Sequence, residues 1–211
     1  MFVVAVANTK GGVGKSTLAT HIAAHFARCG RKTALADLDR QKSSLAWLKR
    51  RPDNLPTIIG INMSKGEAKI PKGIDRLVVD AGAAMRGQTV KDLVQQADLV
   101  VIPTLASAFD EDGIIRFLKH LDKVKAVRKN KRTVAFVANR VRLRSRSVEH
   151  LEGFLKAQEF PVAARLRDTQ LYVNAAAQGV SIFEMPGARV QSYVAEWTPL
   201  IKMMAEGASR K

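Results

Sequence analysis

Cysteine is nearly missing from this chain of 211 residues, which carries only Cys29. A single thiol excludes an internal disulfide and any metal centre built from several cysteines of one chain, and it fits a reducing cytoplasm. Long apolar runs are missing as well. No stretch approaches the ~20 apolar residues of a membrane-spanning helix, and the apolar segment at 2–6 is too short and too early for a signal peptide. Acidic residues are scarce, 19 against 35 Lys and Arg, for a formal net charge of +16. Such an excess of positive charge is drawn to polyanions, either nucleic acid or an acidic membrane surface. There are no repeats, low-complexity tracts or linker, so residues 1–211 read as one domain, and 46% apolar content suffices for a full core.

What is present begins at once. Residues 2–8 form an apolar-dominated strand, followed by Thr9-Lys10-Gly11-Gly12-Val13-Gly14-Lys15-Ser16-Thr17. The glycines allow a sharp turn that brings backbone N–H groups against a phosphate without Cβ clashes. Residues 18–28 then read as a helix with Leu18, Ile22, Ala23 and Phe26 on one face, so its free amides point at the same anion. Lys15 suits a bridge between β- and γ-phosphates, and the Ser16 hydroxyl suits a Mg²⁺ ligand. Residues 11–17 are therefore the nucleotide-binding candidates: Gly11, Gly12, Val13, Gly14, Lys15, Ser16 and Thr17.

Further strands end in polar residues. Residues 32–37 lead into Asp37-Leu38-Asp39-Arg40-Gln41, residues 75–80 end in Asp80, and residues 132–139 end in Asn139. Acids at the carboxyl ends of strands lie where open α/β sheets bind ligands. An apolar strand ending in a carboxylate, as at Asp80, orients Mg²⁺ or its water, and an amide such as Asn139 donates to and accepts from an adenine edge at once. Strands alternate with helices throughout, which predicts a doubly wound, mostly parallel sheet flanked by helices. Residues 62–73 read as loop, 161–163 as a short edge strand, 111–128 as a helix with acids at its front, and 190–205 as one final helix containing Pro199.

The positive charge is concentrated. From Arg116 to Arg146 there are twelve basic residues and one acid, Asp122. Arg140, Arg142, Arg144 and Arg146 alternate, and an extended chain would put all four guanidiniums on one side, fit to track a phosphate backbone. Arg165 and Arg167 extend this candidate DNA-binding set. Two other groupings carry less. His21 and His25 stand four apart on the first helix, but lack the intervening Glu of a zinc protease, and that helix is committed to phosphate.

The sequence Lys10-Gly-Gly-Val-Gly-Lys-Ser-Thr17 resembles the deviant Walker A box of the ParA/MinD family, and the likeness continues through Asp37-x-Asp39, Asp80, Ile102-Pro103, Asn139 and Gly179-x-Ser-Ile182. Arg40 replaces the family's proline, and Ala81-Gly82-Ala83-Ala84 replaces its paired prolines, a variant similar to the small ParF-like partition ATPases. The resemblance implies a P-loop ATPase using ATP and Mg²⁺. Lys10 would reach a partner's nucleotide, Lys15 would hold phosphate, Asp39 would position water or the Mg²⁺ shell with Ser16 and Asp80, and Asn139 would meet adenine. It also implies a homodimer when ATP-bound, nonspecific DNA binding, a ParB-like or other adaptor, and a cytoplasmic, nucleoid-associated location. No helix-turn-helix precedes the first strand. The alternatives are a MinD-like positioning ATPase held on a membrane by its terminal helix and a metabolic enzyme of the dethiobiotin-synthetase kind; the core-facing pattern of residues 190–205 disfavours the first, the basic excess the second.

Overall fold

The computed structural model describes residues 1–66, 68–83, 85, 87–121, 124, 127, 133–142 and 145–210, without the side chains of 87 and 108–110. Strands β1 (Phe2–Val6), β2 (Thr33–Asp37) and β5 (Leu99–Thr104) are buried at every position. Apolar runs of this kind, hidden on both faces, belong inside a parallel sheet covered by helices above and below. With β3 (Ile58–Asn62), β4 (Arg76–Asp80), β6 (Thr133–Val141) and β7 (Val162–Arg167) they make a seven-stranded sheet in the order β3-β2-β4-β1-β5-β6-β7, parallel at every pairing.

Helices α1 (Lys15–Arg28), α2 (Ser43–Leu48), α3 (Gly87–Gln96), α4 (Ala108–Leu121), α5 (Arg146–Lys156), α6 (Gln170–Gln178), α7 (Ala188–Val194) and α8 (Thr198–Ser209) cover the two faces. On one face Leu18 and Ile22 of α1 pack with Trp47, Trp197, Leu200 and Met204. On the other, Val90 and Val94 of α3 meet Ile114 and Phe117 of α4 and Leu151 and Leu155 of α5. Register then places the polar strand ends. Val6 lies opposite Asp80 across β1 and β4, and Asp37 lies opposite Asp80 across β2 and β4. All these strands end on the same side, where a parallel sheet opens its crevice.

The structure departs from the sequence reading in four places. The final helix is broken into α7, a 3₁₀ turn (Ala195–Trp197) and α8. Pro199 is the reason, because it has no N–H to donate and is tolerated only in the first turn of a new helix. Helix α4 starts at Ala108 instead of 111, and Glu111 sits 2.9 Å from Nδ1 of His150 on α5. Strand β7 runs on through Arg167, so Arg165 and Arg167 lie on an edge strand and not in a loop. The run of alternating arginines is not one extended segment: Arg140 has φ 51° within an irregular part of β6, and Arg146 opens α5.

His21 fixes α1 to the later part of the chain. It is fully buried and stacks on Trp197 with centroids 5.4 Å apart. Nδ1 lies 2.8 Å from the Thr17 carbonyl, and Nε2 accepts from the Ile182 N–H at 3.2 Å. Only the neutral ring protonated at Nδ1 satisfies both partners; a charged ring would set one N–H against another. Burial accordingly lowers its pKa to about 4. A base held below its unfolded pKa of about 6.5 contributes fully at neutral pH and loses that contribution as pH falls from about 6.5 towards 4. Chemical denaturation of the wild type and His21→Phe at several pH values should show their stability difference shrinking by roughly 2 kcal/mol between pH 7.5 and pH 5.

Candidate nucleotide-binding site

The glycine loop between β1 and α1 is held by its neighbours. Asn8, buried at the end of β1, donates through Nδ2 to the Pro103 carbonyl at 2.8 Å and accepts from the Lys10 N–H at 3.0 Å. Asn139, at the end of β6, donates through Nδ2 to the Val13 carbonyl at 2.8 Å. Gly14 is left-handed, φ 96°, and a Cβ there would stand 2.2 Å from Asn139 Nδ2. A side chain is therefore excluded at Gly14 both by its dihedral and by the strap across it. The loop presents Gly11 and Gly12 to solvent, while Val13 is buried beneath it and Ser16 and Thr17 are half-buried in the first turn of α1.

Lys15 is mostly buried and folds back so that Nζ donates to the Lys10 carbonyl at 2.8 Å. Burial lowers its pKa, and the nearby carboxylates Asp80 and Asp39 oppose that shift. The ammonium thus sits over the loop among these acids. Lys10 is half-buried, with its Cβ against Gly113 of α4.

The strand-end acids differ from one another. Asp37 is wholly buried and accepts four hydrogen bonds: from Asp39 N, Ser44 N, Ser44 Oγ and Leu45 N, at 2.7–3.2 Å. Three of these four bonds come from Ser44 and Leu45, so Asp37 starts α2. Asp39 is half-buried, accepts from the Gln41 N–H at 2.9 Å, and lies against Gly82 in the loop after β4. Asp80 is buried and its Oδ2 has no hydrogen-bond partner. Burial, with Asp37 alongside, raises its pKa to about 7, while Ser16 and Lys15 pull the other way. An orphaned buried carboxylate oxygen beside a hydroxyl is a donor set for a hard divalent cation. Ser16 and Asp80 fit Mg²⁺, with phosphate and water completing the shell. Among the described residues no cluster of three or more His, Cys, Asp or Glu side chains gathers to hold a metal.

A glycine loop leading into a helix N-terminus, a lysine and two acids at the switch point of a parallel sheet make the geometry of a nucleotide phosphate site. Residues 4–182 match the CobQ/CobB/MinD/ParA nucleotide binding domain family. The chain belongs to this family. Among curated relatives, it is 28% identical over 200 residues to the maintenance of carboxysome distribution protein A of Halothiobacillus neapolitanus, covering 90% of each chain. It is also 28% identical over 156 residues to the chromosome-partitioning ATPase Soj of Thermus thermophilus, covering 58% of this chain and 62% of Soj. Among solved structures, an ATP complex of McdA from Cyanothece superposes with a TM-score of 0.74 at 15% identity, covering 99% of this chain and 96% of that one, and agrees with the fold.

The basic candidates of this ParA/MinD-family chain divide by environment. Arg140, Arg142 and Arg146 are exposed near the carboxyl end of β6, next to Asn139, and Arg142 is only 3.6 Å from the exposed Asp168. Arg144, and positions 123, 125, 128, 129, 131 and 132 of the basic run, lie outside the described residues. Arg165 pairs with Glu152 at 2.6 Å. Arg167 is engaged on all sides. It pairs with Glu196, donates to Ser192 O and Oγ, and lies 4.1 Å from the Tyr193 ring centroid. Its guanidinium joins β7 to α7 and to the 3₁₀ turn that follows it. Sequence reasoning missed Asn8 and Ser44, although both follow strands whose ends it had marked.

The Gly14–Asn139 contact gives a direct test. Gly14→Ala should weaken a fluorescent ATP analogue by about tenfold or more in titration, equivalent to at least roughly 1.4 kcal/mol. Asn139→Ala, which releases the Val13 carbonyl without a clash, should weaken it less.

Proposed function

We propose that the chain is a single-domain ATPase that hydrolyses ATP to ADP and phosphate, dimerises on ATP, binds duplex DNA without sequence preference, and segregates or positions a cargo through an adaptor protein. The observation that carries this reading is the desolvated Asp80 oxygen without a partner, set beside Ser16 and Lys15 at the phosphate loop. In the bound state the amides of residues 11–17 would cradle the phosphates, and Lys15 would leave the Lys10 carbonyl for the β- and γ-phosphates. Ser16 and Asp80 would hold Mg²⁺, which neutralises developing phosphate charge. Asp39 would orient the attacking water, Lys10 would complete the partner's site, and Asn139 would hold the loop and border the base. The named relatives, a carboxysome distribution protein and a chromosome-partitioning ATPase, support the positioning role.

A net charge of +16 supports the DNA arm of the reading, with Arg140, Arg142 and Arg146 the exposed candidates on the side of the sheet that carries the site. Two copies in an ATP-bound dimer double the phosphate contacts, and affinity then falls steeply with salt. Against a MinD-like membrane role, Trp197, Leu200 and Met204 are spent in the core and so do not form a free amphipathic face. Among the described residues no helix is long and apolar enough to cross a membrane.

Binding to nonspecific duplex DNA should require ATP, fail with ADP, fail in Lys10→Ala, and drop on raising the salt. Equal binding under all nucleotide conditions would refute the ATP-dependent clamp. Arg142→Ala should lower DNA affinity with little change in stability. Arg167→Ala should cost about 2–4 kcal/mol of stability in denaturant melts, since it leaves Glu196 half-buried without its partner.

A further inference from the structure

A cleft adjoins the phosphate loop, sharing Asp39 and Ala83 with its border. It has a volume of 660 Å³ and lies between the turn after β2 and the loop after β4. Leu38, Met63 and Met85 supply its apolar part, each half-buried and packed on the core. At Arg40 and Ser64 it merges with a 440 Å³ recess that also includes Lys42 and Lys65. Among the described residues, Arg40, Lys42 and Lys65 have no carboxylate partner, whereas Arg51, Arg165 and Arg167 are all paired. Around the apolar floor the described charged groups are these three cations and one acid, Asp39, so the joined surface is amphipathic with an excess of positive charge.

We propose that this cleft is the docking surface for an acidic, leucine-rich segment of a partner protein, and that docking acts on hydrolysis through the Asp39 turn. The inference rests on the ATPase reading above for its effect, but not for the binding itself. Complementarity selects the occupant: carboxylates for the cationic rim and apolar side chains for the methionine-lined floor. Methionine suits such a surface because its flexible thioether adapts to different side chains.

The link to the chemistry is short. Gln41 lines the cleft, and its N–H is the donor to Asp39 Oδ1 at 2.9 Å. Gly82, on the opposite wall, lies against the Asp39 backbone and carboxylate. Lys42 adopts a left-handed backbone, φ 54°, and its N–H is bonded to the Asp39 carbonyl at 3.1 Å. A segment seated here therefore presses on both sides of Asp39. A non-glycine residue held at positive φ is conformational energy stored within the same turn.

The test uses the full chain labelled with ¹³C-methyl methionine, with Met63 and Met85 assigned from Met63→Leu and Met85→Leu. The probe is an acetylated dodecapeptide of Glu and Leu, and its Lys and Leu counterpart is the control. Saturable shifts of Met63 and Met85 with the acidic peptide alone, while the core residue Met204 stays still, are expected. Lys65→Glu, away from the Asp39 turn, should weaken that binding severalfold and leave basal ATP hydrolysis unchanged. Absence of shifts overturns the proposal, as do equal shifts with both peptides. So do the same shifts produced by citrate, which would mark a small-anion site, or by raising protein concentration alone, which would mark self-association. Failure of the peptide with intact ATP hydrolysis removes only this surface. Peptide binding without ATP hydrolysis in the wild type removes the functional reading and keeps the surface.

Discussion

The side-by-side burial of Asp37 and Asp80 is the constraint on which the rest depends. Parallel register between β2 and β4 sets the two carboxylates opposite one another at the carboxyl edge of the sheet. Two buried acids in contact are unfavourable unless each finds its own compensation. Asp37 is compensated internally, by the donors at the start of α2, and a six-residue helix with no side-chain cap of its own gains an anion at its N-terminus. Asp80 has no such set, and its raised pKa records the deficit. Lys15 already supplies positive charge nearby, and a divalent cation on Asp80 and Ser16 would supply more. Binding of phosphate and a cation here would relieve the cost of burying Asp80.

That relief is localised because the surrounding loop is tied down from three sides. Asn8 anchors it to β5, Asn139 to β6, and α1 carries it into the aromatic packing around His21. A loop pre-set in this way loses less conformational entropy when phosphate arrives, which favours affinity. The Asp39 side is held differently, by bonds within its own turn and by contact with Gly82. The phosphate-gripping half of the site is thus fixed to the sheet, and the half proposed to orient water rests on a turn open to solvent and to a partner.

The phosphate loop and the buried strands were legible in the sequence because their signals are local: an apolar run, glycines, then Lys-Ser before a helix. Roles that depend on distant neighbours were not. Nothing near Asp37 in the chain distinguishes it from Asp39, and only the packing of Ser44 and Leu45 onto it makes one structural and leaves the other at the cleft. Asn139 was marked for its amide, but its contact with Val13 spans 126 positions. The final helix was misjudged for the opposite reason, since helical spacing on either side of Pro199 masked a backbone break that proline's missing N–H demands.

The arginines carry this contrast to function. The sequence reading places Arg142 and Arg167 in one candidate DNA-binding set, the first by its alternation and the second as an extension. Yet one side chain is exposed and the other is enclosed by Glu196, Ser192 and Tyr193. A phosphate backbone competing for Arg167 must first break a half-buried ion pair and strip the guanidinium from an aromatic face, and it would leave Glu196 with only the backbone N–H of Arg167. Competing for Arg142 requires only the displacement of water and a long contact with Asp168. Net charge sets the long-range attraction between the chain and a polyanion, but the guanidiniums available to grip it are those the fold has not already used. The same accounting sets apart Arg40, Lys42 and Lys65, which no carboxylate among the described residues pairs with and which stand beside the turn that carries Asp39.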